Sequence, residues 1–140
     1  MKIIRYILAA LLISVAVVDE AAAKKQQEEH MYIFGFSASF QDSTVYITDI
    51  QDVRGAWTDS KRNFLLGIEN YSTQLQEHLS SKLQRPNRVC ITIFDKNRKK
   101  AEKKMAKLKK KYIGKNAGMY DVQYLTLADF KYEAVDMSDN

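Results

Sequence analysis

The chain has 140 residues, 22 Lys+Arg against 17 Asp+Glu, and a formal net charge of +5. That length holds one domain, or one domain and a tail. An apolar fraction of 46% with eight Tyr, six Phe and one Trp excludes a disordered chain, and a single Cys excludes an internal disulfide framework or a cysteine-based zinc finger.

The charge is uneven. Lys96 to Lys115 hold eleven of the 22 basic residues and one acid, Glu102, a local charge of +10, so the rest of the chain sums to −5.

Residues 1–23 have the parts of a secretory signal peptide in their usual order. Lys2 and Arg5 make a positive start, Tyr6 to Val18 form an uncharged apolar run, and Ala21, Ala22 and Ala23 supply small residues for cleavage after Ala23. An uncleaved anchor is the competing reading, but a spanning helix needs about 20 apolar residues. No Cys lies near the cleavage position, which excludes a lipoprotein anchor. The expected location is therefore periplasmic or secreted, with no transmembrane span after cleavage. Export leaves Cys90 in an oxidising compartment without a partner in the chain. Within the run Val89-Cys90-Ile91 it reads as a small buried hydrophobe, with a reactive thiol or an intermolecular bridge as the alternative.

Lys24 to His30 is polar and reads as a flexible leader. Met31 to Phe40 alternates with period two, placing Tyr32, Phe34, Phe36 and Phe40 on one face and Gly35, Ser37 and Ser39 on the other. The aromatic face is expected to be core, and the small-residue face to be open to solvent or to a second subunit. Gln41-Asp42-Ser43 is turn chemistry, and Thr44 to Ile50 is β-branched, so the two runs predict a hairpin.

Residues 51–60 form a connector with Gly55 and Trp57. Phe64, Leu65, Ile68, Tyr71, Leu75, Leu79 and Leu83 then recur at helical spacing. Asp59 or Ser60 could cap this helix, Gly67 weakens its start so that its firm part could begin near Asn70, and Pro86 marks its stop. Arg88 to Phe94 predicts a third strand. Asp95 could cap a second helix from Lys96 to Tyr112, whose narrow apolar stripe is Ala101, Met105, Leu108 and Tyr112. Met119 to Leu127 predicts a fourth strand, and residues 131–140 read as an acidic frayed tail.

The order β-β-α-β-α-β predicts a single α+β domain over residues 31–130. It would be a two-layer sandwich, with a four-stranded, mainly antiparallel sheet and two helices on one face.

Little in this pattern points to catalysis. His30 and His78 are the two histidines, and no nucleophile elbow, phosphate loop, dinucleotide loop or calcium loop is present. No cofactor or metal is expected. Asp49, Asp52 and Asp59 lie near Trp57, the kind of acid pair beside an aromatic that a small hydrolase could use and that loops commonly contain.

The lysine block is more specific. Lys99, Lys100, Lys103, Lys104, Lys107, Lys110 and Lys111 define a candidate anion-binding surface, with a merely solvated face as the bland alternative. Lys rather than Arg suits diffuse attraction over bidentate readout. In an exported protein the polyanions at hand are anionic lipid headgroups, lipopolysaccharide, teichoic-type polymers or acidic glycans, with nucleic acid a poorer fit.

The hairpin FGFSASFQDSTVYITDIQ followed by RPNRVCITIFDKNRKKAEKKMAKLKKKY resembles small exported proteins of unknown function from Bacteroidetes. That resemblance implies location and no catalytic motif. The stretch from Arg88 to Tyr124 is also similar to the second half of a SPOR domain, where a strand, an Ala- and Lys-rich helix and a strand follow one another. Such domains bind peptidoglycan glycan strands. Here two adjacent strands precede the first helix, whereas the SPOR order is β-α-β-β-α-β, and no binding residue carries over.

The expectation is an exported, non-enzymatic binding or accessory domain of the cell envelope. The alternatives are a small hydrolase at the connector or a protein-interaction subunit.

Overall fold

The computed structural model describes residues 24–138. The expected signal peptide lies outside the described residues. The elements are β1 (Lys25–Gln27), β2 (Tyr32–Ala38), β3 (Thr44–Thr48), β4 (Gln51–Asp52), β5 (Trp57–Asp59) and β6 (Phe64–Leu65). They are followed by α1 (Ile68–Ser81), β7 (Val89–Asp95), α2 (Arg98–Lys109), a π-helical turn (Lys110–Lys115) and β8 (Asp121–Leu125). The protein is α+β, as its periodicities predict.

The main sheet is built on β2. Strand β7 runs antiparallel along one side of it, from Tyr32↔Asp95 to Ala38↔Val89. The other side is shared by β3 (Phe36↔Ile47) and β4 (Ile33↔Gln51), two pieces of one interrupted strand. Strand β8 lies parallel to β3 on the outside, from Thr44↔Asp121 to Thr48↔Leu125. The four long strands are thus those expected, and the β2–β3 hairpin is present.

Helix placement departs from the expectation of a shared face. Alternate residues of a strand point to opposite sides, and β2 is buried on both. Ile33 joins Tyr71, Leu75 and Leu79 of α1, together with Tyr46, Leu125, Phe130 and Tyr132. Phe36 joins Val45, Ile47 and the α2 stripe of Met105, Leu108 and Tyr112. The helices therefore cover opposite faces of the sheet.

The small-residue face is consequently closed, not open. Ser37 is buried, and a Cβ on Gly35 would overlap the Tyr132 hydroxyl and lie 2.7 Å from a Leu75 methyl. On the aromatic face Phe34 and Phe36 are core, but Phe40, beyond the end of β2, is 99% exposed.

Both polar ends are ordered parts of the fold. The expected leader contains β1, which pairs with β5 in a small second sheet completed by β6. A strand of Lys25, Gln26 and Gln27 shows no hydrophobic period, because polar contacts hold it: the backbone ladder with β5 and the Lys25 ammonium, which donates to the Met137 carbonyl at 3.0 Å. The expected acidic tail crosses α1 and the sheet. Gln51 donates from Nε2 to the Phe130 carbonyl (2.9 Å) and accepts from the Tyr132 N–H (2.7 Å). Gln74 does the same for the Glu133 carbonyl and N–H, and the Val135 N–H donates to the Tyr71 hydroxyl at 3.0 Å. Tyr132 is buried.

Helix α1 starts later than its hydrophobic period suggests, because Phe64 and Leu65 pair with β5 instead. Gly67 precedes the first helical residue at φ 73°, a left-handed position that suits glycine. Neither Asp59 nor Ser60 caps the helix. The Asp59 carboxylate accepts from the N–H groups of Lys61 and Arg62 in the turn after β5.

Candidate anion-binding surface

Helix α2 is capped by Asn97, whose side chain accepts from the Lys100 N–H at 3.1 Å. Asp95, the expected cap, lies too early in the chain to reach the first helical turn. Its carboxylate accepts from the Asn97 N–H at 2.9 Å and pairs with the Lys104 ammonium at 3.3 Å. The apolar stripe docks as its spacing predicts. Ala101 is buried, Met105 and Leu108 reach the core, and the Tyr112 ring lies 4.8 Å from that of Phe36 and 4.9 Å from that of Tyr120. The helix then widens into the π-helical turn, where the Asn116 amide donates to the Lys111 carbonyl at 2.9 Å.

One edge of α2 is therefore spent on packing, and the remaining circumference carries the charge. Three cations of the 96–115 block pair with acids: Lys96 with Glu28 (2.9 Å), Arg98 with Glu102 (3.3 Å) and Lys104 with Asp95. Among the described residues the other eight have no carboxylate within ion-pairing distance. Lys104 is further held by the Phe94 carbonyl at 2.7 Å, which removes it from the free set. Lys99, Lys100, Lys103, Lys107, Lys110 and Lys111 are exposed. Lys103, Lys107 and Lys110 recur at helical spacing and share one side of the helix, and with Lys104 and Ala106 they frame a shallow recess of 440 Å³.

First-turn lysines oppose the helix dipole and last-turn lysines complement it. Helix α2 has no acid in its first turn and has Lys107 and Lys109 in its last. Lys99 and Lys100 thus sit where fold stability disfavours them.

Two of the three connector acids are committed locally. Asp52 pairs with His30 Nδ1 at 2.8 Å and lies 3.7 Å from Arg54, while buried Asp59 holds its turn and lies 3.7 Å from Arg62. Among the described residues no three His, Cys, Asp or Glu side chains gather as a metal site.

A cavity of 810 Å³ lies where the end of α1 meets β8 and was not foreshadowed by any motif. His78, Lys82 and Arg85 line it together with Asp121 and Asp129. Its opposed charges set it apart from the uniformly basic α2 surface. Burial pulls the His78 pKa down, with Asp129 opposing and Lys82 assisting, so the ring is held towards its neutral form.

No family model matches the chain, and no curated protein or solved structure matches it. Among the described residues no helix is long and apolar enough to cross a membrane.

Proposed function

We propose that this chain is an exported, non-enzymatic binding or accessory domain of the cell envelope. It associates with an anionic polymer or lipid surface through α2 and the π-helical turn. The supporting observation is the eight cations without a carboxylate partner among the described residues, on a segment docked by a separate apolar stripe. Close like charges repel. Lys109 and Lys111 lie over the Tyr124 and Tyr112 rings at 5.2 and 5.6 Å, while the other six ammonium groups have no such ring beneath them among the described residues, so an external polyanion is the partner that relieves the repulsion. Export rests on the residue order of positions 1–23.

The test is retention on heparin and on anionic vesicles at low ionic strength. Binding is expected to fall steeply with added salt and to be lost when Lys103, Lys107, Lys110 and Lys111 are all changed to Glu. Elution unaffected by that fourfold substitution would overturn the reading.

A further inference from the structure

Three connections converge at one end of the main sheet. The β2–β3 turn (39–43) is tied to the start of β8 by the Asp121 N–H, which donates to the Ser43 carbonyl at 3.0 Å. The connection from α1 into β7 arrives beside it, since Val89 stands opposite Ala38. Arg88 in that connection donates to Asp42 at 3.2 Å and to the Thr44 carbonyl. The π-helical turn and residues 116–120 complete the end by leading into β8.

This end carries the two most exposed large apolar side chains described. Phe40 is 99% exposed and Met119 65%, and Leu83, Val89 and Ile113, at the same end of the sheet in the strand order, are exposed as well. Four of the nine exposed large hydrophobic residues described lie on these three connections, and a fifth, Val89, begins β7 where one of them enters the sheet. Phe40 gains nothing for the fold by standing fully in water. Cations accompany them: Lys82 and Arg85 on one side, Lys110, Lys111 and Lys115 on the other. Of the acids here, Asp42 is answered by Arg88, Asp121 accepts from the Gln123 amide at 2.8 Å, and Asp129, which shares the 810 Å³ cavity with Lys82 and Arg85, accepts from the Thr126 N–H and hydroxyl.

We propose that this end docks onto a lipid bilayer bearing anionic headgroups, with Phe40 and Met119 entering the interface and the flanking lysines reaching the phosphates. The proposal rests on the anion-binding reading above and assigns its partner as lipid instead of a soluble polymer. Separate apolar tips on connections that also carry long cationic side chains fit an interface that is apolar within and anionic at its surface. Lysine stems extend over the apolar zone while their heads stay in the headgroup layer. A soluble polyanion would answer the charge and leave Phe40 in water.

The experiment uses the full chain with vesicles of zwitterionic lipid, with and without anionic phosphatidylglycerol, and heparin as the soluble polyanion. All variants share residues 1–23, so differences between them report the domain. Phe40→Ser and Met119→Ser are each expected to weaken partitioning onto anionic vesicles by roughly tenfold and to leave heparin retention unchanged. In Phe40→Trp, emission should shift to the blue on anionic vesicles and be quenched by brominated lipid beyond the response of the parent chain, which carries Trp57 alone. If the added indole of this variant stays water-like on bound vesicles, the lipid proposal is overturned while the anion-binding reading stands. Equal binding to vesicles and heparin that depends on lysines alone does the same. Failure of the parent chain to bind either probe overturns both.

Discussion

The hydroxyl of Tyr132 occupies the space above Gly35, where a Cβ on that glycine would stand. A residue from the acidic C-terminal segment thereby closes the small-residue face of β2. No hydrogen bond of normal geometry reaches this buried hydroxyl among the described residues, and burial pushes its pKa far up, with Cys90 adding to the rise and the nearby Thr92 hydroxyl opposing. Gly35→Ala is expected to destabilise by about 1–3 kcal/mol through overpacking, lowering the urea midpoint. Tyr132→Phe removes an unpaired polar atom and is expected to be neutral or stabilising by up to about 1 kcal/mol. Combined, the two changes should cost clearly less than Gly35→Ala alone. Strict additivity of the midpoints would show that the hydroxyl is not what excludes the Cβ.

Gln51 holds the same segment from the other side. It is 2% exposed, and its amide bonds the Phe130 carbonyl and the Tyr132 N–H as a neighbouring strand would. Gln51→Leu keeps volume but leaves both backbone groups without their partner. The expected cost is about 2–3 kcal/mol, or a Tm drop of roughly 10 °C or more for a domain of this size. Amide exchange at Tyr132 should accelerate more than exchange within α1. An unchanged Tm would show that the 130–135 segment is held without this clamp.

The long elements were legible because each carries a period: two in β2, and three to four in the Tyr71-Leu75-Leu79 and Ala101-Met105-Leu108-Tyr112 stripes. Which face each helix takes was not, since β2 looks one-sided when Gly35 and Ser37 are taken as exposed. The smallness of Gly35 reflects close approach by Leu75 and Tyr132. Phe130, Tyr132 and Val135 were hidden among charged neighbours, and β1 was hidden because backbone pairing leaves no side-chain pattern. The basic surface was legible as charge. The loss of Lys104 to Asp95 and the Phe94 carbonyl was not, because it depends on how α2 turns away from β7.

Arg88 and Asp42 make the β2–β3 turn sensitive to acid. The Arg88 guanidinium is buried, bonded to Ser37, Asp42 and the Thr44 carbonyl, and its carbon lies 5.0 Å from the Tyr46 ring centroid. The Asp42 carboxyl is held below its ordinary value, chiefly by the Thr44 N–H and then by Arg88, with desolvation opposing. A depressed carboxyl pKa contributes stability that is fully present above the unfolded-state value near 3.8 and is lost as pH falls through the folded-state pKa. Stability should therefore decline on acidification below about pH 4, and Asp42→Asn should flatten that part of the profile. Parallel profiles for this variant and the parent, followed by urea midpoint against pH, would refute the assignment.

Cys90 provides the remaining test, because its environment separates a packed thiol from a reactive one. The side chain is half-buried against the α1 cluster, with Sγ 3.4 Å from the Ser37 hydroxyl. Burial raises its pKa, while the Ser37 hydrogen bond and the Arg88 charge oppose that rise. The thiolate is the attacking species, so a raised pKa means less of it at neutral pH than in an ordinary thiol. Labelling of the native protein near neutral pH should be much slower than in urea, and should rise with pH above the usual thiol range. Non-reducing electrophoresis after air oxidation should show monomer. Labelling as fast as in the unfolded chain would mean that α1 opens readily over the sheet, since a nucleophile at this position needs both its proton removed and the Ser72–Thr92 side of the helix contact released.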